Sequence, residues 1–311
     1  MNRNLRGLLR ASLRMCRQHW RGLATASVLP FVLASIIGTI QLWQMRDIYA
    51  AGLAANLNPT VEADANLQNL VEGHFLLFVG FFIFNALITA WHFTRIVHFW
   101  KTGAAKPFSL MPGELHETAA VVVYGLFVGL VIMAAYFVAV LAITLAAQLL
   151  VMVALPANLL ETFVGLGSLA MLVVLLGIAM RFFAGFPGIA QGGTPRPMRD
   201  LWPIAKGVGF GLTWRAIAVF AAFVAVSLVL LVIIMIPLLA GSGTEIANPT
   251  THEISPDAGR AIAAVLAPAQ VAGQWVRACF LVLFSTFLTL VFARLSGQDA
   301  SLQTKANGQI D

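Results

Sequence analysis

Hydrophobic positions in this chain neither alternate nor recur every third or fourth residue over most of its length. They run on without interruption, bounded by arginine, lysine, proline and short polar clusters. Six runs, at 23–43, 75–93, 119–147, 163–183, 212–240 and 274–292, reach the roughly 20 apolar residues that a bilayer core about 30 Å thick demands of a helix. The pattern predicts an all-α polytopic membrane protein: six transmembrane helices as three hairpins, with amphipathic helices at the inner interface. Its parts are an amphipathic basic helix over 1–21, hairpins over 22–101 and 109–183, an interfacial helix and third hairpin over 196–294, and a flexible tail over 295–311, all in one membrane domain.

The third run is the longest. No charge interrupts the 42 positions of 119–160, about 63 Å if wholly helical. Pro156 sits too late to divide the run into two spans, so the expectation is one tilted helix emerging beyond Gln148, then an outer interfacial segment ending at Pro156.

Composition agrees with this reading. The 311 residues are 59% hydrophobic and 10% charged, whereas a soluble domain carries about 25% charge, so a large water-soluble catalytic domain is excluded. The first apolar run spans 21 residues, too long for a cleaved leader's core of roughly 7–15, and is expected to stay as the first span. Cys16 and Cys279 lie in opposite halves of the chain and are read as packing residues rather than a disulfide or metal framework.

The scarce charges orient the spans. Arg3, Arg6, Arg10, Arg14, Arg17 and Arg21 precede span one; Arg95, Lys101 and Lys106 follow span two; Arg181, Arg196, Arg199, Lys206 and Arg215 lie between spans four and five; Arg294 and Lys305 follow span six. These are sixteen of the nineteen Lys and Arg residues, and the positive-inside rule puts them in the cytoplasm, with both termini inside. The opposite loops carry Asp47, Glu62, Asp64, Glu72, Glu161, Glu245, Glu253 and Asp257. Arg277, beside Trp275 at the start of the last run, is expected at the outer border.

At 100° per residue the six N-terminal arginines fall within an arc of roughly 80°, with Leu5, Leu8, Leu9, Cys16 and Trp20 on the other side. Such a helix is expected to lie in the inner interface, where each arginine gains on the order of 1 kcal/mol near anionic lipid. Its blander role is to fix topology. Nucleic acid is not an expected partner, because no aromatic residues are interleaved with the stripe.

The returning spans end alike, in Arg95, Arg181 and Arg294, and Trp20-Arg21 and Trp214-Arg215 open two outgoing spans, so the pattern reads as one unit used three times. Each terminal arginine can snorkel to the headgroups. His92, Arg95 and His98 share a helical stripe and, with Lys101, could grip a phosphate or lipid headgroup; anchoring at the interface is the simpler explanation.

Catalytic motifs fail on inspection. His116-Glu117 lacks the second histidine of a zinc-protease helix, Gly165-Leu166-Gly167-Ser168 lacks the rhomboid nucleophile order, and Lys206-Gly207-Val208-Gly209-Phe210-Gly211 has no Gly-Lys-Ser/Thr. Polar residues within the spans are few (Asn85, Thr89, Thr144, Ser168, Ser227, Ser285, Thr286, Thr289), and none is a carboxylate, which argues against a proton- or sodium-coupled carrier. Gly125 and Gly129 have the spacing of a close helix crossing, within the chain or between chains.

The segment Arg181-Phe-Phe-Ala-Gly-Phe-Pro-Gly-Ile-Ala190, with Arg199-Asp200-Leu201-Trp202, Lys206-Gly207 and Trp214-Arg215, resembles the central signature of a loose group of bacterial six-span inner-membrane proteins. Some of these are similar to the membrane domain of certain glycerophosphodiester phosphodiesterases, whose catalytic barrel is absent here. The resemblance implies a bacterial inner-membrane setting tied to lipid or envelope processes, and carries over no catalytic residue. The expectation is therefore a non-enzymatic protein, without cofactor or metal, that organises lipid or a membrane complex. Its surface is Arg3, Arg6, Arg10, Arg14, Arg17, Arg21, Arg95, His98, Lys101, Arg181, Arg196, Arg199, Lys206, Arg215 and Arg294, and its partners are anionic lipid headgroups, a membrane protein or a second copy. The alternative is a transporter or permease subunit for a hydrophobic or amphipathic solute.

Overall fold

The computed structural model describes residues 7–57, 61–152, 157–191, 209–246 and 258–296. Among these the chain is helical apart from the loop at 103–113 and short turns, and six helices are long and apolar enough to cross a membrane. It is a multi-pass membrane protein.

The amphipathic α1 (Leu8–Gln18) stops at His19 and leads into α2 (Trp20–Gln44), the first span. Pro30 inside α2 removes one backbone hydrogen bond, a loss tolerated where neighbouring helices cover the site. The acidic connection is itself a helical pair, α3 (Arg46–Leu57) and α4 (Val61–Gly73), which pack on each other. Then α5 (Phe75–Thr102) returns and ends at Gly103, whose φ of 74° suits a residue without a Cβ.

The long charge-free run forms one helix, α6 (Glu114–Met152), continuing past Gln148; Pro156 lies outside the described residues, and α7 (Ala157–Phe183) begins directly after it, earlier than the hydrophobic run alone indicated. A single turn, α8 (Phe186–Ala190), follows, and the last pair is α9 (Gly209–Ile246) and α10 (Ala258–Ser296).

The expected hairpins pair as α2 with α5, α6 with α7, and α9 with α10. They do not contribute equally, because α10 also touches α1, α2, α3, α5 and α8. In its most apolar stretch 56% of residues are buried, against 6% for α5 and α6, so α10 is the central pole. It also starts sixteen residues before the apolar run at 274, because the Ala-rich segment that opens it forms helix readily and carries Pro268 within it. Trp275 and Arg277 therefore lie mid-helix.

The tightly packed core gathers at the end that carries the arginines, here the basic end. Leu8, Met15, Leu23, Ile96, Val97, Trp100, Tyr124, Phe182, Ile189, Leu212, Phe287 and Val291 form one buried cluster there. The resembling segment supplies its plug: Pro187, Ile189 and Ala190 are buried, and the Phe186 ring meets Phe93, Tyr124 and Phe183. A Cβ on Gly188 would press into the Phe292 ring, so only glycine lets α8 approach α10 this closely. Toward the acidic end α5 leaves the core, with no residue of 75–87 buried, while α10 stays packed on α2 and α3, where Met45 and Ala263 are buried. Gly129 faces open space and Gly125 makes ordinary contact with Phe186, so this pair does not form a close crossing within the chain.

Candidate functional site

Polar and charged side chains gather in three places. The first is the outward face of α1. Leu8, Ser12 and Met15 are buried against the bundle, while Arg10, Arg14 and Arg17, and Arg21 at the start of α2, are exposed. Part of its apolar side, Leu8, Met15 and Cys16, packs on the bundle, chiefly against α10. Leu13 (51% exposed) and Trp20 (60%) instead flank the arginines on the free side, with the Arg21 guanidinium 5.6 Å from the Trp20 ring. A docked helix showing cations next to exposed apolar groups is suited to an interface of anionic headgroups. Cys16 on α1 lies 3.5 Å from the Thr286 hydroxyl, and burial raises its thiol above the ordinary value, an effect that this hydrogen bond partly offsets.

The second is a buried charge cluster at the basic end. Arg95, expected to snorkel to the headgroups, is instead fully buried, as is Glu114, with Arg95 Nε 3.5 Å from Glu114 Oε1. The guanidinium donates to the Lys106 carbonyl and lies over the Trp91 ring, while Glu114 accepts from Trp91 Nε1 and, at 2.7 Å, from the Met111 amide. The reason is steric: the loop between α5 and α6 folds back over Arg95 and closes its path to the surface. One turn on, His98 Nδ1 lies 3.3 Å from Glu117 Oε2. Glu114 and Glu117 are three residues apart, as are Arg95 and His98, so two helical stripes meet. Neither glutamate was expected to matter. The available signal was that two acids open the longest charge-free run, on the side where basic residues predominate.

The other expected surface residues are dispersed. Lys101 donates to the Gln191 carbonyl at 2.6 Å, Arg215 to the Gly211 carbonyl at 2.6 Å, and Arg181 and Arg294 are half-buried. The three return-span arginines thus have different surroundings. Arg3, Arg6, Arg196, Arg199 and Lys206 lie outside the described residues.

The third is a polar seam inside the spans. Gln270, Gln274 and Arg277 on α10 face Asn85, Thr89 and His92 on α5 and the small residues Pro30, Ala34 and Gly38 on α2. Each set repeats at helical spacing, so three stripes meet along one line. Arg277 Nη1 donates to Asn85 Oδ1 at 3.0 Å and Gln274 Oε1 at 3.4 Å; Nη2 donates to the Asn85 carbonyl at 3.2 Å and to the Thr89 hydroxyl. The Ser27 hydroxyl donates to the Leu23 carbonyl at 2.8 Å and lies 2.8 Å from His92 Nε2, so the imidazole N–H donates to Ser27. Arg277, expected at the outer border, takes these partners from α5 across the helix interface.

Among the described residues no three His, Cys, Asp or Glu side chains converge as a metal ligand set would. No family model, no curated protein and no solved structure matches the chain.

Proposed function

We propose that this chain is a non-enzymatic protein of the bacterial inner membrane, with both termini in the cytoplasm, that gathers anionic lipid at its cytoplasmic face. The supporting observation is α1: part of its apolar side packs on the bundle, and its arginines are displayed beside Leu13 and Trp20. A helix that only fixed topology would need no such docking. Sixteen of nineteen basic residues on one side of the spans support the orientation, and the resembling segment supports the bacterial setting.

The test is native mass spectrometry of protein extracted in mild detergent. The wild type is expected to retain phosphatidylglycerol or cardiolipin, and a variant with Arg10, Arg14, Arg17 and Arg21 changed to Gln is expected to lose most of it at unchanged thermal stability. Equal lipid retention by the two proteins would overturn the proposal.

A second reading, a transporter or permease subunit for an amphipathic solute, draws support from the polar seam and from an apolar crevice of about 290 Å³ between α9 and α10, lined by Phe223, Ser227, Leu228 and Gly273. Failure of purified protein to move any lipid or amphiphile across liposomes would remove it.

A further inference from the structure

No acidic residue precedes Asp47 in the chain. Arg10, Arg14, Arg17 and Arg21 are all exposed, and none enters a described ion pair; those join Arg46 to Asp47, Arg95 to Glu114 and His98 to Glu117. Their charge is left to be neutralised from outside the chain.

The four stand as two couples, Arg10 with Arg14 and Arg17 with Arg21, each four residues apart. Members of a couple are neighbours on the helix surface, about 5–6 Å apart at Cβ, and repel each other. The Leu23 amide donates to the His19 carbonyl, which carries the helical winding across the turn at His19, so the couples follow one another along a stripe of about 16 Å. Each guanidinium offers a planar fork of donors that suits a phosphate. A headgroup with one phosphate meets one arginine and has to be ordered anew for the next. A headgroup with two phosphates on a short linker meets both members of a couple, and its second contact forms within a molecule already bound.

The apolar flank sets the depth. Leu13 and Trp20 are exposed and seven residues apart, on one edge of the arginine stripe. With that edge among acyl chains, the guanidiniums lie at one level, and two phosphates of a single headgroup also share a level.

We propose that the α1 face selects a lipid with two linked phosphates, cardiolipin, over lipids with one, and holds two such molecules, one on each arginine couple. This rests on the reading of α1 as a lipid-gathering face and adds a headgroup class and a stoichiometry to it.

The experiment is native mass spectrometry of the full chain in mild detergent, offered cardiolipin and phosphatidylglycerol at equal phosphate. Wild-type protein is expected to retain cardiolipin about tenfold over phosphatidylglycerol, with two molecules more than the variant in which all four arginines are Gln. Arg10→Gln with Arg14→Gln, and Arg17→Gln with Arg21→Gln, should each lose one of the two at unchanged Tm. Monolysocardiolipin, which keeps both phosphates and has one acyl chain fewer, should bind as cardiolipin does. Equal retention of the two lipids per phosphate by the wild type overturns the proposal; if both then fall in the four-Gln variant, lipid gathering itself still stands. A cardiolipin preference that survives in the four-Gln variant, or that vanishes with the lost acyl chain, also overturns it. Equal retention of both lipids by the wild type and the four-Gln variant removes the selectivity and the lipid-gathering reading together.

Discussion

Changing Glu114 to Gln keeps the side chain's size and removes its charge, which isolates the buried pair at the basic end. Both partners are fully enclosed, and Arg95 Nε and Nη1 already lack a hydrogen-bond partner, so the mutant guanidinium would keep the Lys106 carbonyl and the Trp91 ring as its contacts. Leaving one member of a buried ion pair uncompensated costs about 3–5 kcal/mol. Replacing both members with apolar residues, Arg95→Met with Glu114→Leu, removes the stranded charge. That double variant still orphans the Met111 amide and the half-buried Trp91 indole N–H, about 1–3 kcal/mol each when buried and less at the indole. The double change is therefore expected to cost no more than Glu114→Gln alone. Unfolding by a denaturing detergent in mixed micelles, followed by tryptophan fluorescence, measures all three proteins. Since Glu114 also fixes the loop after α5, chymotrypsin should cut faster after the exposed Phe108 in Glu114→Gln. A single-mutant cost below about 1 kcal/mol, or a double mutant worse than the single, would refute the role assigned to the pair.

Gly188→Ala drives a methyl group into the Phe292 ring; it is expected to cost about 1–3 kcal/mol in the same assay and to be relieved by Phe292→Leu. Gly129→Ala meets nothing within 4 Å and should leave stability within about 1 kcal/mol of wild type, whereas a close crossing would make it damaging. Because burial raises the Cys16 thiol, its thiolate fraction at a given pH is below that of a free thiol, so its alkylation should need a pH above the ordinary range. Leu8→Asp, which undocks α1, should restore rapid labelling near pH 8.

The six spans and the asymmetry of basic residues were legible because each depends on many positions at once: a 20-residue apolar run or a one-sided arginine set survives errors at single residues. The docking of α1 was half-legible. Its periodicity fixed which face is apolar, yet lipid and protein both satisfy an apolar stripe, and only the presence of α10 decides between them. Arg95 was misplaced for a related reason: a snorkelling arginine and a buried, paired one look alike until the loop carrying Lys106 and Glu114 is seen to close over it. The seam was out of reach because Asn85 and Thr89 on α5 and Gln274 and Arg277 on α10 could be noted only singly, and their meeting depends on helix rotation. The early start of α10 was hidden because its first residues are helix-forming without being apolar enough to count as a span.

The most direct test of lipid gathering by the α1 face is a density map of the full chain in nanodiscs of phosphatidylglycerol with phosphatidylcholine. The account predicts headgroup density within hydrogen-bonding reach of Arg10, Arg14 and Arg17, with α1 docked on α10, and loss of that density in discs of phosphatidylcholine alone. A map with α1 docked and its arginines facing bulk solvent in both lipids would contradict it.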